Sequence, residues 1–473
     1  MRRRSKNNRE DDMKLNSTNF RRRRQIISIF LGVTVLAAIA AVVYGHMCVH
    51  CSQTLPVEDR VPLEANQIAV QFTQLTDVVS EWNQYAATQT LSTTTLAPVQ
   101  QARVMAIIHI SIHDSVNGIT REYETFLAPA ASPDGASADA AAIAAAAEAM
   151  RGMFGDGPFP ALNNKTISQL FSESMAARGL SETDPGVGYG VAAADAVLAL
   201  RASDGSAQAQ FPYDGPNTDP GTWRLLPGQI AQLPGWGRVT PFALKSGSQF
   251  RPDTPPALGS DEYAKDFNEI KEIGSSTSST RTHLQSQIAL FWRASPVTIW
   301  TPVLRQVLAR RSFDISATAR TFALVYMAAA DAGIACWDAK YVYNSWRPQS
   351  AIRRADEDGN ILTESDPTWL PFIATPPHPE YPSGHSSVSS SIASVLESTL
   401  GDDGEPIVVT MSGITRQWDT FDQVVQEVID ARVFSGIHFR NSDEVGARLG
   451  RQVAQFVLTH ALRRCKGRGT VCS

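Results

Sequence analysis

The amino-acid sequence predicts a mostly helical globular protein, preceded by one N-terminal transmembrane or signal helix. Apolar residues recur at helical spacing in most segments after residue 65, and the alternating patterns typical of β-strands are nearly absent. Residues 25–44 carry no charged side chain, and this run is about long enough to cross a bilayer as a helix. These observations favour an all-α fold class.

The N-terminal region divides by composition into a basic tail at 1–24, the uncharged run at 25–44 and a polar linker at 45–64. Four arginines end the tail, so the positive-inside rule predicts that the tail stays in the cytoplasm. The run is either an uncleaved signal anchor, which we favour from its length, or a signal peptide removed after export. The globular part, 65–473, is therefore expected outside the cytoplasm, tethered to the cell membrane or secreted.

The globular part reads as a series of helices joined by loops and one long excursion. The alanine-rich stretch after Ser137 has strong helix propensity. Prolines, glycines and tryptophans crowd residues 214–256, which we interpret as an ordered excursion packed over the helices because its aromatic side chains need burial. The predicted helices run from Ile68 to Trp82, Val99 to Ile119, Ser137 to Met153, Ala192 to Arg201, Asp261 to Gly274, His283 to Arg293, Arg320 to Trp346, Ser386 to Leu400, Trp418 to Ser435 and Ser442 to Leu462.

Charge and cysteine content narrow the classes of function. The net charge of −5 and the lack of a basic, aromatic-rich motif give no reason to expect nucleic-acid binding. For an exported chain we favour a Cys465–Cys472 disulfide, with free thiols as the alternative. His109 and His113 have a spacing that suits zinc, but no glutamate follows the first histidine, and we interpret both as packing residues.

The segment Tyr-Pro-Ser-Gly-His at 381–385 carries the strongest local signal for chemistry. Pro382 breaks any preceding helix, Ser383 is a natural N-cap, and Gly384 lets a ligand approach the backbone closely. The helix that follows would direct the free amides of Gly384 and His385 outward, which makes a site for an anion. A histidine in that first turn suggests proton transfer beside a bound oxyanion.

Lys340 and Arg347 supply a second group of polar side chains. Seven residues are two turns of a continuous helix, so both side chains would lie on one face, and Pro348 would end the helix at or near Arg347. The planar guanidinium and the mobile ammonium both suit an oxyanion. A solvated basic face is the alternative, and the apolar composition of the helix weakens it.

Arg432 and His438 form the third group. Gly436 lies between them and can end a helix, which would let His438 turn back towards Arg432. A capped helix end with an unrelated histidine is the alternative. Together the three segments offer a site for a tetrahedral oxyanion with more than one negative charge, in which one histidine bonds the central atom and the other moves protons.

The three motifs, in this order, resemble the signature of the vanadium haloperoxidase and type-2 phosphatidic acid phosphatase superfamily. The match covers the C-terminal part of the chain, and the helical N-terminal half is similar to that of bacterial vanadium-dependent haloperoxidase-like proteins. The resemblance implies a helical bundle of the vanadium haloperoxidase and acid phosphatase type, with vanadate as cofactor.

The resemblance also implies a role for each matched residue. The oxyanion would be held by Lys340, Arg347, Ser383, Gly384 through its amide, and Arg432. His438 would be the ligand of the metal, or the nucleophile of a phosphatase, and His385 the acid–base group. Lys340, His385 and His438 are thus the implied catalytic residues.

Two further residues bear on the branch of the superfamily. Trp337 matches an aromatic residue on the halide side of the fungal chloroperoxidase-like group, and His378 is similar to a histidine of algal bromoperoxidases. His378 either shares that role or is only part of a rigid loop. The phosphatase pattern has serine where this chain has Ala431, and an aspartate that orients the ligand histidine where this chain has Ser442. Asp443 is one residue further on, so the orientation of the ligand imidazole is left without an assigned partner.

Three functions follow, in decreasing order of support. The first is a vanadate-dependent haloperoxidase that uses hydrogen peroxide to oxidise halide to a hypohalous species, with halide or a small organic molecule as substrate. The second is a phosphatase of the same superfamily that hydrolyses a phosphomonoester through a phosphohistidine. The third is a non-catalytic exported helical protein. Beyond substrates we expect the membrane as a partner through the N-terminal helix, and the sequence is compatible with a homo-oligomer.

Overall fold

Helices account for nearly all the regular structure of this chain in a computed structural model, which describes residues 77–92, 95–127, 131–213, 215, 218–401 and 403–465. The all-α prediction is confirmed over those ranges, where one two-stranded antiparallel sheet is the exception. The transmembrane or signal helix predicted at 25–44 lies outside the described residues.

The described part of the chain contains thirteen α-helices and one β-hairpin. The helices are α1 (Val78–Ser92), α2 (Pro98–Thr120), α3 (Ala138–Phe154), α4 (Ile167–Ala177), α5 (Pro185–Arg201), α6 (Asp261–Ile273), α7 (His283–Phe291), α8 (Pro296–Ala309), α9 (Ile315–Tyr343), α10 (Pro348–Arg353), α11 (Gly384–Leu400), α12 (Phe421–Phe434) and α13 (Arg440–His460). The hairpin strands are β1 (Ile407–Met411) and β2 (Ile414–Trp418), with Ile407 paired to Trp418.

Helix α9 is the central element of the fold. It packs against α2, α11 and α13, and nearly all of its residues from Thr318 to Ala339 are buried. Among the described residues it is the one helix long and apolar enough to cross a membrane by composition, but 94% of its most apolar stretch is buried in the protein. It is therefore the core helix, and its alanines let neighbouring helices approach closely.

Glycines on α13 allow that helix to pack closely against the first turns of α11. A Cβ added at Gly446 would lie 2.6 Å from the carbonyl oxygen of Ser383, and one at Gly450 would meet the backbone of Ser387. Only glycine permits this approach, because any side chain would push the two helices apart. The contact places the start of α11 against α13.

Several predicted elements differ from the observed ones. The helix predicted from Arg320 to Trp346 ends at Tyr343, because Asn344 adopts a left-handed conformation with φ 48°. Helix α8 was not predicted, since Pro302 inside it is normally a helix breaker. The hairpin was not predicted either, because its β2 strand alternates only weakly between apolar and polar residues.

The excursion after α5 is ordered where the structure describes it, as predicted. The carboxylate of Asp331 on α9 accepts hydrogen bonds from the amides of Phe242, Ala243 and Leu244 at 2.6–2.9 Å. Trp236 is buried as well. A buried acceptor thus ties the excursion to the core helix.

The histidine pair on α2 has the packing role that the sequence predicts. His109 stacks on Phe322 and Tyr326 with ring centroids 4.8 and 5.0 Å apart, and burial lowers its pKa to about 3. His113 is also fully buried. Cys465 is disulfide-bonded, but Cys472 lies outside the described residues, so the pairing stays a prediction.

Candidate active site

The two cations of the second motif meet across a turn and not along one helix face. Lys340 lies in the last turn of α9, and the left-handed Asn344 ends that helix three residues before Arg347. Arg347 is the N-cap of α10, which Pro348 begins. The sequence argument for a shared helix face was therefore wrong, because Pro348 starts a new helix at its first position, where proline fits well.

Lys340 is completely buried and is held by backbone oxygens. Its Nζ donates to the carbonyl oxygens of Pro379 at 3.0 Å and Glu380 at 2.8 Å. Burial, more than any neighbouring charge, lowers the pKa of this ammonium to about 8. The loop before α11 thus fixes the lysine at the site.

Arg347 joins the second motif to the third. Its Nε donates to the carbonyl oxygen of His378 at 2.8 Å, and Nη1 donates to the carbonyl oxygen of Ile437 at 2.8 Å. Nη1 also lies 3.1 Å from Nε2 of His438. The side chain is 1% exposed, and burial lowers its pKa to about 10. One guanidinium therefore contacts both histidine-bearing loops.

His438 is turned into the site by a glycine, as the sequence predicts. Helix α12 ends just before Gly436, whose φ of +77° favours glycine. Nδ1 of His438 lies 2.8 Å from Oε1 of Glu380, and Nε2 faces Arg347. The imidazole is buried, and burial together with the nearby Arg347 holds its pKa well below the usual range.

Glu380 is the residue of the site that sequence reasoning missed. It stands in a proline-rich loop 58 positions before His438, so no local spacing signals the contact. It is 2% exposed, and burial raises the pKa of its carboxyl to about 7. The only signal in the sequence was a glutamate directly beside the strongest motif. Such a residue is seldom buried unless it has a partner, and its burial is known only from the structure.

Asp443 lies one position beyond the place where the phosphatase pattern has the aspartate that orients the ligand histidine. In this structure it contacts the start of α11 instead. Its Oδ1 accepts from the hydroxyl of Ser386 at 2.9 Å, and it also interacts with the side chain of Ser383. Ser383 is the N-cap of α11, but its hydroxyl makes no capping bond to the helix. Asp443 therefore supports the serines at the start of α11.

Gly384 begins α11, so its amide and that of His385 have no acceptor within the helix, whereas the amide of Ser387 donates to the carbonyl oxygen of Ser383. The close neighbour of this glycine is Trp337, since an added Cβ would lie 3.1 Å from its ring and would displace it slightly. Trp337 also contacts His378, with ring centroids 4.9 Å apart, and its indole faces Lys340 at 5.8 Å. The two residues considered for the halide side thus pack against each other, and Trp337 lies beside the lysine.

His385 and Arg432 are both held by the segment between α7 and α8. Nε2 of His385 lies 3.0 Å from the carbonyl oxygen of Ala294, and Nη1 of Arg432 donates to that of Trp292 at 2.8 Å. The carbonyl only accepts, so Nε2 of His385 carries the proton and Nδ1 is the basic nitrogen. Burial and the charge of Arg432 hold the pKa of His385 well below its usual range.

The balance of buried charge favours an anion at this site. Lys340, Arg347 and Arg432 are each at most 3% exposed, and the carboxyls near them, Glu380 and Asp443, both have raised pKa values. Among the described residues, Nε of Arg432 is buried without a hydrogen-bond partner. Buried cations without compensation are costly, so the site suits an oxyanion carrying more than one negative charge.

The side chains of the described residues include no group of three or more His, Cys, Asp or Glu residues placed to hold a metal ion. A bare divalent cation would lack ligands here. The donor set instead matches a metal carried as an oxyanion, held through its oxygens by cations and bonded to one imidazole.

Lys340 gives a pH dependence that can be measured. Its pKa falls from 10.5 to about 8 on folding, so between these pH values the unfolded chain binds more protons at this residue. The free energy of unfolding, without added oxyanion, should therefore contain a contribution that rises with pH by at most about 1.4 kcal/mol per pH unit. Urea unfolding of wild type and Lys340→Met across this interval measures it, and a pH-independent difference would contradict the assignment.

Comparisons with known proteins show which family this chain resembles. The family model of the vanadium chloroperoxidase N-terminal domain matches residues 72–222, and that of the VCPO second helical-bundle domain matches residues 320–467. Vanadium chloroperoxidase of Curvularia inaequalis is 23% identical over an alignment 400 positions long, which covers 67% of this chain and 64% of that protein. The chain thus spans somewhat less than two thirds of this curated relative.

Two solved structures show the same fold. The first bacterial vanadium-dependent iodoperoxidase aligns with a TM-score of 0.69 at 24% identity, covering 82% of this chain and 97% of that one. An apo-type bacterial vanadium-dependent chloroperoxidase aligns with a TM-score of 0.60 at 16% identity, covering 77% and 96%.

Proposed function

The chain belongs to the vanadium haloperoxidase superfamily, and from this premise we propose that it is a vanadate-dependent haloperoxidase. It uses hydrogen peroxide to oxidise a halide ion to a hypohalous species. The observation that carries the proposal is a set of three buried cations whose charges act on His438, one of them in contact with it, with Nε of Arg432 left unpartnered among the described residues.

The side chains that hold vanadate are Lys340, Arg347, Arg432 and Ser383, together with the amide of Gly384. His438 would bind the metal through Nε2, which is unprotonated because Arg347 can only donate to it. When bound, vanadate supplies a Lewis-acidic centre that activates hydrogen peroxide towards a halide. The fixed cations offset the negative charge of the oxyanion in a site from which water is largely excluded.

His385 moves the protons of the reaction. Its Nδ1 is the basic nitrogen because Nε2 is committed to the carbonyl oxygen of Ala294. Burial, together with the neighbouring cations, lowers the pKa of the imidazole and keeps it neutral, so Nδ1 can accept a proton from hydrogen peroxide. A bound oxyanion offsets those cations and raises the pKa, which lets the same nitrogen return the proton.

Lys340 acts on the oxidant, and Trp337 and His378 shape the halide side. The ammonium of Lys340 would stabilise negative charge that develops on the oxidant. The halide loses two electrons and gains one oxygen, and the other oxygen leaves as water. The indole of Trp337 and the ring of His378 form the wall beside the lysine where the halide approaches.

Reconstitution tests this proposal. Protein dialysed against a chelating, phosphate-free buffer should gain peroxide-dependent halogenation of a phenol-type dye when vanadate and a halide are added together. Chloride, bromide and iodide are assayed in parallel, because the site residues do not indicate which halide is preferred. Absence of any gain with all three halides would contradict the proposal.

The same preparation distinguishes the haloperoxidase from a phosphatase of the same superfamily, a function that no observation favours. Phosphate and vanadate have nearly the same shape, so a phosphatase would hydrolyse a phosphomonoester without vanadium and be inhibited by vanadate. The haloperoxidase proposal predicts the reverse, with halogenation that requires vanadate and is weakened by added phosphate.

The setting of the reaction is also part of the proposal. We place the globular part outside the cytoplasm, anchored through the helix predicted at 25–44 or secreted after cleavage. Its partners are then hydrogen peroxide, a halide and a small organic acceptor, with no nucleic acid. Protease accessibility of the globular part on intact cells tests the orientation.

A further inference from the structure

We propose that Glu380 is the positioning residue that fixes the tautomer and the orientation of His438, and that it ties this imidazole to Lys340. The inference rests on the proposed function for the role of His438 as ligand. It goes beyond that function because it assigns the orienting role to a residue outside the three motifs.

The carboxyl of Glu380 is itself held in place. Its Oε1 accepts two hydrogen bonds, from Nδ1 of His438 at 2.8 Å and from the amide of Phe439 at 3.1 Å. The second bond comes from the residue directly after His438. One carboxylate oxygen therefore accepts from both the imidazole and the backbone of the loop that carries it. At 2% exposure the carboxyl has little freedom to move.

The contacts on the two ring nitrogens determine the tautomer. Arg347 approaches Nε2 at 3.1 Å and can only donate, so Nε2 has no proton. The ring proton of neutral His438 is therefore on Nδ1, where it is donated to Glu380. This is the tautomer that a metal ligand needs, because the lone pair of Nε2 is available.

The backbone of Glu380 connects the imidazole to the lysine. Its carbonyl oxygen accepts from Nζ of Lys340 at 2.8 Å, and its amide donates to the carbonyl oxygen of Ser345 at 2.9 Å. A shift of this residue would therefore move both Lys340 and His438. Asp443 makes a different contact, since its Oδ1 accepts from the hydroxyl of Ser386.

Two measurements on the full chain test the proposal with Glu380→Gln, Glu380→Asp and the control Glu364→Gln. Glu364 is a surface carboxylate, 91% exposed, that pairs with Lys271. The first measurement is the ¹⁵N NMR spectrum of ring-labelled histidines without vanadate, with the His438 signals identified by their loss in His438→Gln. The second is the dissociation constant for vanadate from equilibrium dialysis.

We expect wild type and Glu364→Gln to show the Nδ1-protonated tautomer. Glu380→Gln should show a mixture, because an amide can donate as well as accept, and its dissociation constant for vanadate should rise about 10–100-fold. Glu380→Asp keeps the acceptor at shorter reach, so it should retain the tautomer and bind vanadate with intermediate affinity.

The proposal is overturned if Glu380→Gln keeps both the wild-type tautomer and the wild-type affinity. If Glu380→Gln does not fold, as judged by circular dichroism, an unaltered spectrum and affinity of Glu380→Ser would overturn it equally. Vanadate binding by no variant at all would contradict the proposed function, whereas the tautomer spectra, which need no vanadate, would still decide the positioning role.

Discussion

Replacing His438 by alanine is expected to lower the rate of vanadate-dependent halide oxidation by about 10³-fold or more. Catalytic residues that act together depend on one another, so the loss of one removes most of the rate acceleration. Nε2 of this imidazole faces Arg347 at 3.1 Å while Nδ1 is engaged by Glu380, so Nε2 is the nitrogen left to bind the cofactor. The initial rate of dye halogenation at saturating peroxide and halide measures the loss.

His460→Ala is the matched control for this experiment. His460 is an exposed histidine at the end of α13 that stacks on Phe456, and its removal should leave the rate unchanged. Both variants should keep the wild-type circular dichroism spectrum. A His438→Ala protein with a rate within tenfold of wild type would show that the imidazole does not bind the cofactor.

Replacing Arg347 by lysine is expected to raise the dissociation constant for vanadate by about 10²–10³-fold, although the positive charge is kept. Lysine cannot reproduce the fork that contacts the carbonyl oxygens of His378 and Ile437 while facing His438. The buried acceptors that lose their donor should also lower the free energy of unfolding by about 1–3 kcal/mol each.

Equilibrium dialysis gives the affinity, and urea unfolding gives the stability, so the two effects are separated. Arg463→Lys is the control, since Arg463 is 58% exposed and pairs only with Glu124 on the surface. It should change neither quantity measurably. Wild-type affinity in Arg347→Lys would show that charge alone, without directed hydrogen bonds, holds the anion.

Local rules of helix capping account for the part of the site that the sequence predicts. Ser383 precedes α11 and Gly436 follows α12, as expected from the preferences of serine and glycine at helix ends. Because the motif residues stand at these ends, their clustering follows from the packing of helix termini around the core. Their individual catalytic roles stay predictions.

Long-range contacts account for what the sequence does not predict. Glu380 reaches His438 across 58 positions, and no periodicity relates two loops so far apart. The convergence of Lys340 and Arg347 was expected from a continuous helix, but it results from the left-handed turn at Asn344, which an asparagine favours only weakly. Propensity does not reveal which of several turns the tertiary structure will select.

The fold class was predictable because it depends on local periodicity and not on long-range contacts. Long segments such as α9 and α2 are apolar at helical spacing over many residues, and such periodicity has few competing interpretations. Helix α8 contains Pro302 and is buried on most of its surface, so neither its periodicity nor its propensity marked it as a helix.

A crystal structure of the full-length or globular protein grown with vanadate tests the central claim most directly. We expect one oxyanion per chain, with the metal bonded to Nε2 of His438 and its oxygens within hydrogen-bond distance of Lys340, Arg347 and Arg432. Nε of Arg432 should then have a partner. Vanadate bound elsewhere, or a site that stays without it at concentrations that support halogenation, would contradict the account.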